Sequence, residues 1–257
     1  MNSPAATTVQ AIPLAQLAFT FVPVALVIYT VFRWTGDARG TLVAFARMLV
    51  QLLAVGYLLA FVFALEHALP VIAVLAIMLC VASTIVLRPL RDKNTRIYLH
   101  VLASLLIGGC TILPLVTIAV LRVEPWYLPR VTIPLAGMIF ANAMTTVTLC
   151  AERFEAERSG GLAYEAARRI AFRAALIPLT NALLAVGVVS LPGMMTGQIL
   201  SGVSPLVAAR YQIMVMCMTF SAGGIAAAAY LAFARARAAS SDNGGERGGQ
   251  RRGRRAG

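Results

Sequence analysis

Apolar residues gather into seven long runs, near 14–32, 41–63, 69–87, 98–121, 131–150, 174–192 and 206–232, and polar residues fall mostly in the connections between them. Each run is close to the roughly 20 residues that an α-helix needs to cross a hydrocarbon core. The pattern predicts an all-α polytopic membrane protein with about seven transmembrane helices. It divides the chain into a short segment before the first span (1–13), a membrane domain (14–232) and a basic tail (233–257). The tail is expected to be disordered, since Ser240 to Gly257 is rich in Gly and Arg and has no apolar periodicity. The sixth run is the least regular, because Pro178 enters it and Pro192-Gly193 lies at its end.

Composition strengthens this picture: apolar residues make up 60% of the chain and charged residues 12%, with a mean hydropathy of +0.81. Soluble domains carry about 25% charge. The lipid bilayer is therefore the first partner. Charge adds an orientation, because short loops rich in Lys and Arg stay cytoplasmic. Eighteen basic residues occupy alternate connections and the tail, among them Arg33, Arg39, Arg88, Arg91, Lys93, Arg96, Arg153, Arg158, Arg168, Arg169 and Arg173. The other connections hold only Arg122, Arg130 and Arg210. The N-terminus is thus expected outside and the C-terminus in the cytoplasm. The net charge of +12 is explained by topology, and nucleic acid is not an expected partner. Residues 1–13 have no charged side chain, so no signal peptide is expected. Cys80, Cys110, Cys150 and Cys217 read as small packing residues.

The distribution of ionisable groups narrows the chemistry. All ten acidic residues lie in connections or tails, whereas proton- and cation-coupled carriers place carboxylates within the membrane. The sole lysine, Lys93, lies in a loop and can neither form a Schiff base inside a helix nor complete a Walker A turn. The chain is thus expected to carry no cofactor of its own. Energised transport would draw on ATP bound by a partner subunit, and an ATPase-independent channel or carrier is the alternative.

Five groups of residues are candidates for function. The segment Val188-Val-Ser-Leu-Pro-Gly-Met-Met-Thr-Gly-Gln-Ile-Leu200 sets Pro192 and Gly193 beside Met194, Met195 and Gln198, and a broken helix in hydrocarbon survives only where protein or a water-lined path satisfies its backbone. It is expected to form part of a substrate pathway or gate. Asn142 is a polar group near mid-span among small neighbours, which suits an interhelical hydrogen bond or a substrate contact. Arg47 and Gln51 share one face of the second span, where snorkelling competes with function. In the longest internal connection, Ala151 to Arg173, the charged AERFEAER is followed by a Ser-Gly-Gly break. Beyond it Leu162, Tyr164, Glu165, Ala167, Arg168, Arg169 and Ile170 read as a short amphipathic helix, with Glu165 placed to pair with Arg169. Such a helix could dock an ATPase or lie in the headgroups. The ten methionines include Met214, Met216 and Met218 in the last span, yet no constellation identifies a metal site, Glu66-His67 being only two adjacent ligands.

Five segments carry a resemblance: ARMLVQLLAVGYLL at 46–59, IPLAGMIFANAM at 133–144, RAALIPLTN at 173–181, VGVVSLPGMMTGQILSG at 186–202 and ARYQIMVM at 209–216. Together they resemble the FetB/YbbM-like permease family. The resemblance implies a bacterial inner-membrane permease of an ABC transporter, a homodimer paired with an ABC ATP-binding subunit, in a family linked to iron export and metal tolerance. The connection here is SGGLAYEAARR, without the Leu-Gly-Ala element that family members carry.

Overall fold

The computed structural model describes the backbone of residues 12–62 and 67–253, and the side chains among them except those of Leu14, Ala60 and the positions beyond Arg235. Helices dominate these residues: α1 (Leu14–Ala18), α2 (Phe21–Thr35), α3 (Arg39–Val62), α4 (Ala68–Val86), α5 (Thr95–Pro114), α6 (Pro129–Ser159), α7 (Tyr164–Ala185), α8 (Gly193–Leu200) and α9 (Pro205–Gly253). The only β pairing among them is an isolated bridge between Val186 and Ser190. Six stretches are long and apolar enough to cross a membrane: 15–35, 39–59, 68–86, 95–120, 129–159 and 205–235. Residues 1–11, and Glu66 of the Glu66-His67 pair, lie outside the described residues.

The chain forms two compact units, Met1–Glu66 with Gly197–Val203, and His67–Thr196 with Ser204–Gly257. In the first, the expected single span from 14 begins as α1 and restarts as α2. Pro23 has no N–H to offer the Phe19 carbonyl, and the Thr20 hydroxyl turns back to Leu17 O at 2.7 Å. None of the spanning stretch of α2 or α3 is buried.

The second unit is a bundle of α4, α5, α6, α7 and α9 around a core of small and branched residues. Helix α7 buries Ala167, Ala171, Ala175 and Leu179, spaced by four, and packs on α6 and α9 along this stripe. Helix α9 answers with Met218, Ala222, Ala226, Tyr230 and Ala234, also spaced by four. Small side chains at this spacing let backbones approach, and a Cβ at Gly108 of α5 would stand 2.7 Å from the Ala222 carbonyl oxygen. Helix α5 ends at Pro114 and passes into a π-helical turn, Leu115–Val120.

Three expectations are corrected here. The connection from 151 to 173 is two helix ends joined by a tight turn: AERFEAER extends α6 to Ser159, helped by the Arg153–Glu157 pair at 2.6 Å. Gly161, at φ 86°, reverses the chain, and Leu162 N–H closes on Glu157 O at 3.2 Å. The amphipathic segment is accordingly the first half of α7, continuous with the apolar half, and Glu165 pairs with Arg168 at 2.6 Å in place of Arg169. Second, the run 174–192 is not one helix. It stops at Ala185, Gly187 at φ 84° makes the turn, and Pro192 caps α8 by accepting Thr196 N–H at 3.0 Å. The break therefore precedes Pro192-Gly193. Third, α9 continues past 233, because Ala232-Phe-Ala-Arg-Ala-Arg-Ala-Ala239 is rich in the strongest helix former and Ala234 is buried in the core.

Candidate functional site

Two cavities inside the second unit share Met138 of α6. One, about 430 Å³, is lined by Arg130, Pro134 and Met138 of α6, Met194 of α8, and Tyr211 and Met214 of α9, with Leu121 beside the π-helical turn. The other, about 160 Å³, is lined by Met138 and Asn142 of α6, Leu179 and Leu183 of α7, and Met216 and Thr219 of α9. The first lies toward the ends that carry Arg130 and Arg210, and the second is deeper along α6 and α9. Polar groups in this region mostly face their own helix: Asn142 Nδ2 donates to Met138 O at 2.9 Å, and the Thr219 and Thr146 hydroxyls donate to Val215 O at 2.9 Å and Asn142 O at 2.8 Å. One polar atom does not: the Oε1 of Gln212, a residue 4% exposed on α9, is buried and accepts no hydrogen bond.

A larger groove, about 950 Å³, runs between α7 and α9 at the opposite, arginine-rich end, with Arg168, Arg169, Arg173 and Arg235 on its walls. Tyr164 fixes this end. Its hydroxyl donates to Leu231 O at 2.7 Å and its ring meets Phe154 edge-on at 5.8 Å. Burial raises the Tyr164 phenol above its ordinary range, against the lowering effect of Arg168.

The expected pathway residues divide. Asn142 lines one and Met194 the other of the two cavities that share Met138. Pro192, Gly193 and Met195 line neither. Gln198 belongs to the other unit, where its Oε1 is buried without a donor. The interhelical bond expected of Asn142 is instead made to the carbonyl one turn below. Arg47 and Gln51 are exposed on α3. Of the expected coupling residues, Ala167 is fully buried, Leu162, Tyr164 and Ile170 are half-buried, and Glu165, Arg168 and Arg169 are exposed. Arg130, Tyr211, Gln212 and Thr219 escaped the sequence reading. A glutamine in the middle of ARYQIMVM was the one available signal. Among the described residues, no group of three or more His, Cys, Asp or Glu is placed to hold a metal ion.

Comparison with known proteins gives a consistent result. The family described as "Uncharacterised protein family (UPF0014)" matches residues 14–238. The chain is 37% identical over 203 residues to the UPF0014 membrane protein slr1647 of Synechocystis, covering 72% of this chain and 78% of the relative. It is 30% identical over 205 residues to the "Probable iron export permease protein FetB" of Escherichia coli, covering 73% and 77%. It is 31% identical over 195 residues to the protein ALUMINUM SENSITIVE 3 of Arabidopsis thaliana, covering 70% of each. No solved structure matches the chain.

Proposed function

The chain belongs to the UPF0014 family of multi-pass membrane proteins, and from that membership we propose that it is the permease subunit of an ABC transporter that exports iron or a related metal across a bacterial inner membrane. The observation that carries the proposal is the pair of cavities on either side of Met138 within the bundle, in a family with a relative named as an iron export permease. Cargo on this route passes the Arg130 guanidinium on the wall of the first cavity and meets the Tyr211 phenol, the thioethers of Met138, Met194 and Met214, then the Asn142 amide and the Thr219 hydroxyl; apart from Arg130 the lining is neutral. These are weak ligands for a cation, and conduction needs sites that release what they hold.

Energy comes from a separate subunit, since the chain's one lysine cannot serve a Walker A loop. That subunit docks on the α6–α7 turn through the exposed charges of Glu165 and Arg168. In this reading the turn faces the cytoplasm and the N-terminus lies outside, which the asymmetry of the basic loops supports. Arg47 and Gln51 stand on the uncovered α3, where lipid is a costly neighbour, and a second copy of the chain would cover them. One observation favours the alternative, an ATPase-independent channel or carrier: the apolar face expected to grip an ATPase is taken up inside the chain at Ala167.

Reconstitution separates the two. Vesicles containing this chain and an ATP-binding subunit from the same genome should move iron only with ATP, and flux without ATP would establish the alternative. Met138→Trp, which puts a larger side chain between the two cavities, should cut that flux at least tenfold with normal insertion. Wild-type flux in this variant would place the pathway elsewhere.

A further inference from the structure

We propose that the groove between α7 and α9 at the arginine-rich end is a binding site for an anionic phospholipid, whose phosphate is held by Arg169, Arg173 and Arg235 and whose first acyl carbons lie over Phe172, Ala228 and Ala232. The inference rests on membrane residence and not on the transport proposal. Three observations lead to it. First, these three guanidiniums, from two helices, line one cavity and make no ion pair among the described residues. Arg168, by contrast, is engaged by Glu165 at 2.6 Å and lies over the Tyr164 ring at 5.8 Å. That pairing also occupies the one carboxylate on the groove.

Second, the cations border the long uncharged stretches of both helices, where lipid headgroups are expected. Arg235 is the first charged residue of α9 after the uncharged stretch 211–234, and Arg173 is the last charged residue of α7 before the uncharged stretch to Ala185. Third, the floor is aromatic and aliphatic, so the groove offers an acyl chain what a free anion would not use. Guanidinium forks match phosphate oxygens in pairs, and basic pockets between transmembrane helices hold anionic headgroups. A zwitterionic lipid brings its own cation to the site and gains less.

The test uses the full chain purified in a non-ionic detergent. Native mass spectrometry counts retained lipid after addition of dioleoyl phosphatidylglycerol or dioleoyl phosphatidylcholine. Phosphatidylglycerol should be retained at least tenfold more, and each guanidinium removed should weaken its retention on the order of fivefold. The variant Arg169→Gln, Arg173→Gln, Arg235→Gln should thus lose the preference, while Arg210→Gln, at the other end of α9, keeps it. Glycerol 3-phosphate should not compete. Equal retention of the two lipids by the wild type overturns the proposal without reference to any variant. Full competition by glycerol 3-phosphate would assign the groove to a soluble phosphate and overturn it too. So would a triple variant that keeps its lipid preference but loses a co-purifying ATPase, which would make the groove the partner's seat.

Discussion

A single atom decides the packing at Gly108, where an added Cβ would stand 2.7 Å from the Ala222 carbonyl oxygen and 3.1 Å from the Ala226 side chain. A backbone carbonyl within a helix cannot swing aside as a flexible side chain can, so α5 and α9 would have to part. Gly108→Ala should cost about 1–3 kcal/mol, read as a lower apparent Tm in detergent. Gly197→Ala meets nothing within 4 Å and should stay within about 0.5 kcal/mol of wild type. Equal melting of the two variants would mean that the helices do not touch at Gly108. The sequence could not reveal this contact, because a glycine in an apolar run does not name its neighbour. Asn142 shows the same limit from the other side. Its mid-span position was legible, but its partner was not, since the Met138 carbonyl one turn below is always within reach of a helical Asn. Arg130 and Tyr211 were illegible for another reason: near the end of a span, a polar side chain has water or headgroups as a default destination, and only the cavity distinguishes them.

Helix α7 is where element-scale reasoning from sequence was partly right. The amphipathic pattern of LAYEAARRI was real, but its apolar face turned inward because the helix does not end at Arg173. Continuity to Ala185 carries Ala167 into register with Ala171 and Ala175, and the three pack as one stripe. Asp at Ala167 would therefore bury a carboxylate and unfold the bundle before it could report on docking. The exposed charges are the proper probe. Exchanging them, Glu165→Arg with Arg168→Glu, keeps an ion pair within the helix but reverses the pattern presented outward. An ATPase seated there should cease to co-purify while the apparent Tm moves by less than a few degrees, because exposed pairs contribute only about 0–1 kcal/mol. Retained co-purification would remove the α6–α7 turn from the coupling route. The turn after Ala185 was placed late by the sequence because Pro-Gly is the louder signal. Gly187, at φ 84°, needs only the absence of a Cβ, which periodicity does not register.

For the whole molecule, the all-α membrane architecture was legible because it follows from the length and apolarity of the runs alone. Crossing and orientation depend on more. Helix α7 falls outside the six long apolar stretches, because Arg168, Arg169 and Arg173 occupy its first half, yet it packs along α6 and α9, both of which are long enough to span. If α7 crosses, an odd number of spans separates the termini, and the asymmetry of the basic loops predicts the N-terminus outside. Two exposed positions decide this. His67 precedes α4 and its side chain caps nothing, while Lys93 lies on the connection before α5, next to Asn94, whose side chain must be left in place because it accepts Ile97 N–H at 2.9 Å. In a background with the four native cysteines replaced by alanine, His67→Cys should react with an impermeant maleimide added to intact cells, and Lys93→Cys should react only after the membrane is opened. The reverse pattern would invert the molecule and place the arginine-rich groove outside. Labelling of both in intact cells would mean that α4 does not cross, leaving an even number of spans and both termini on one side.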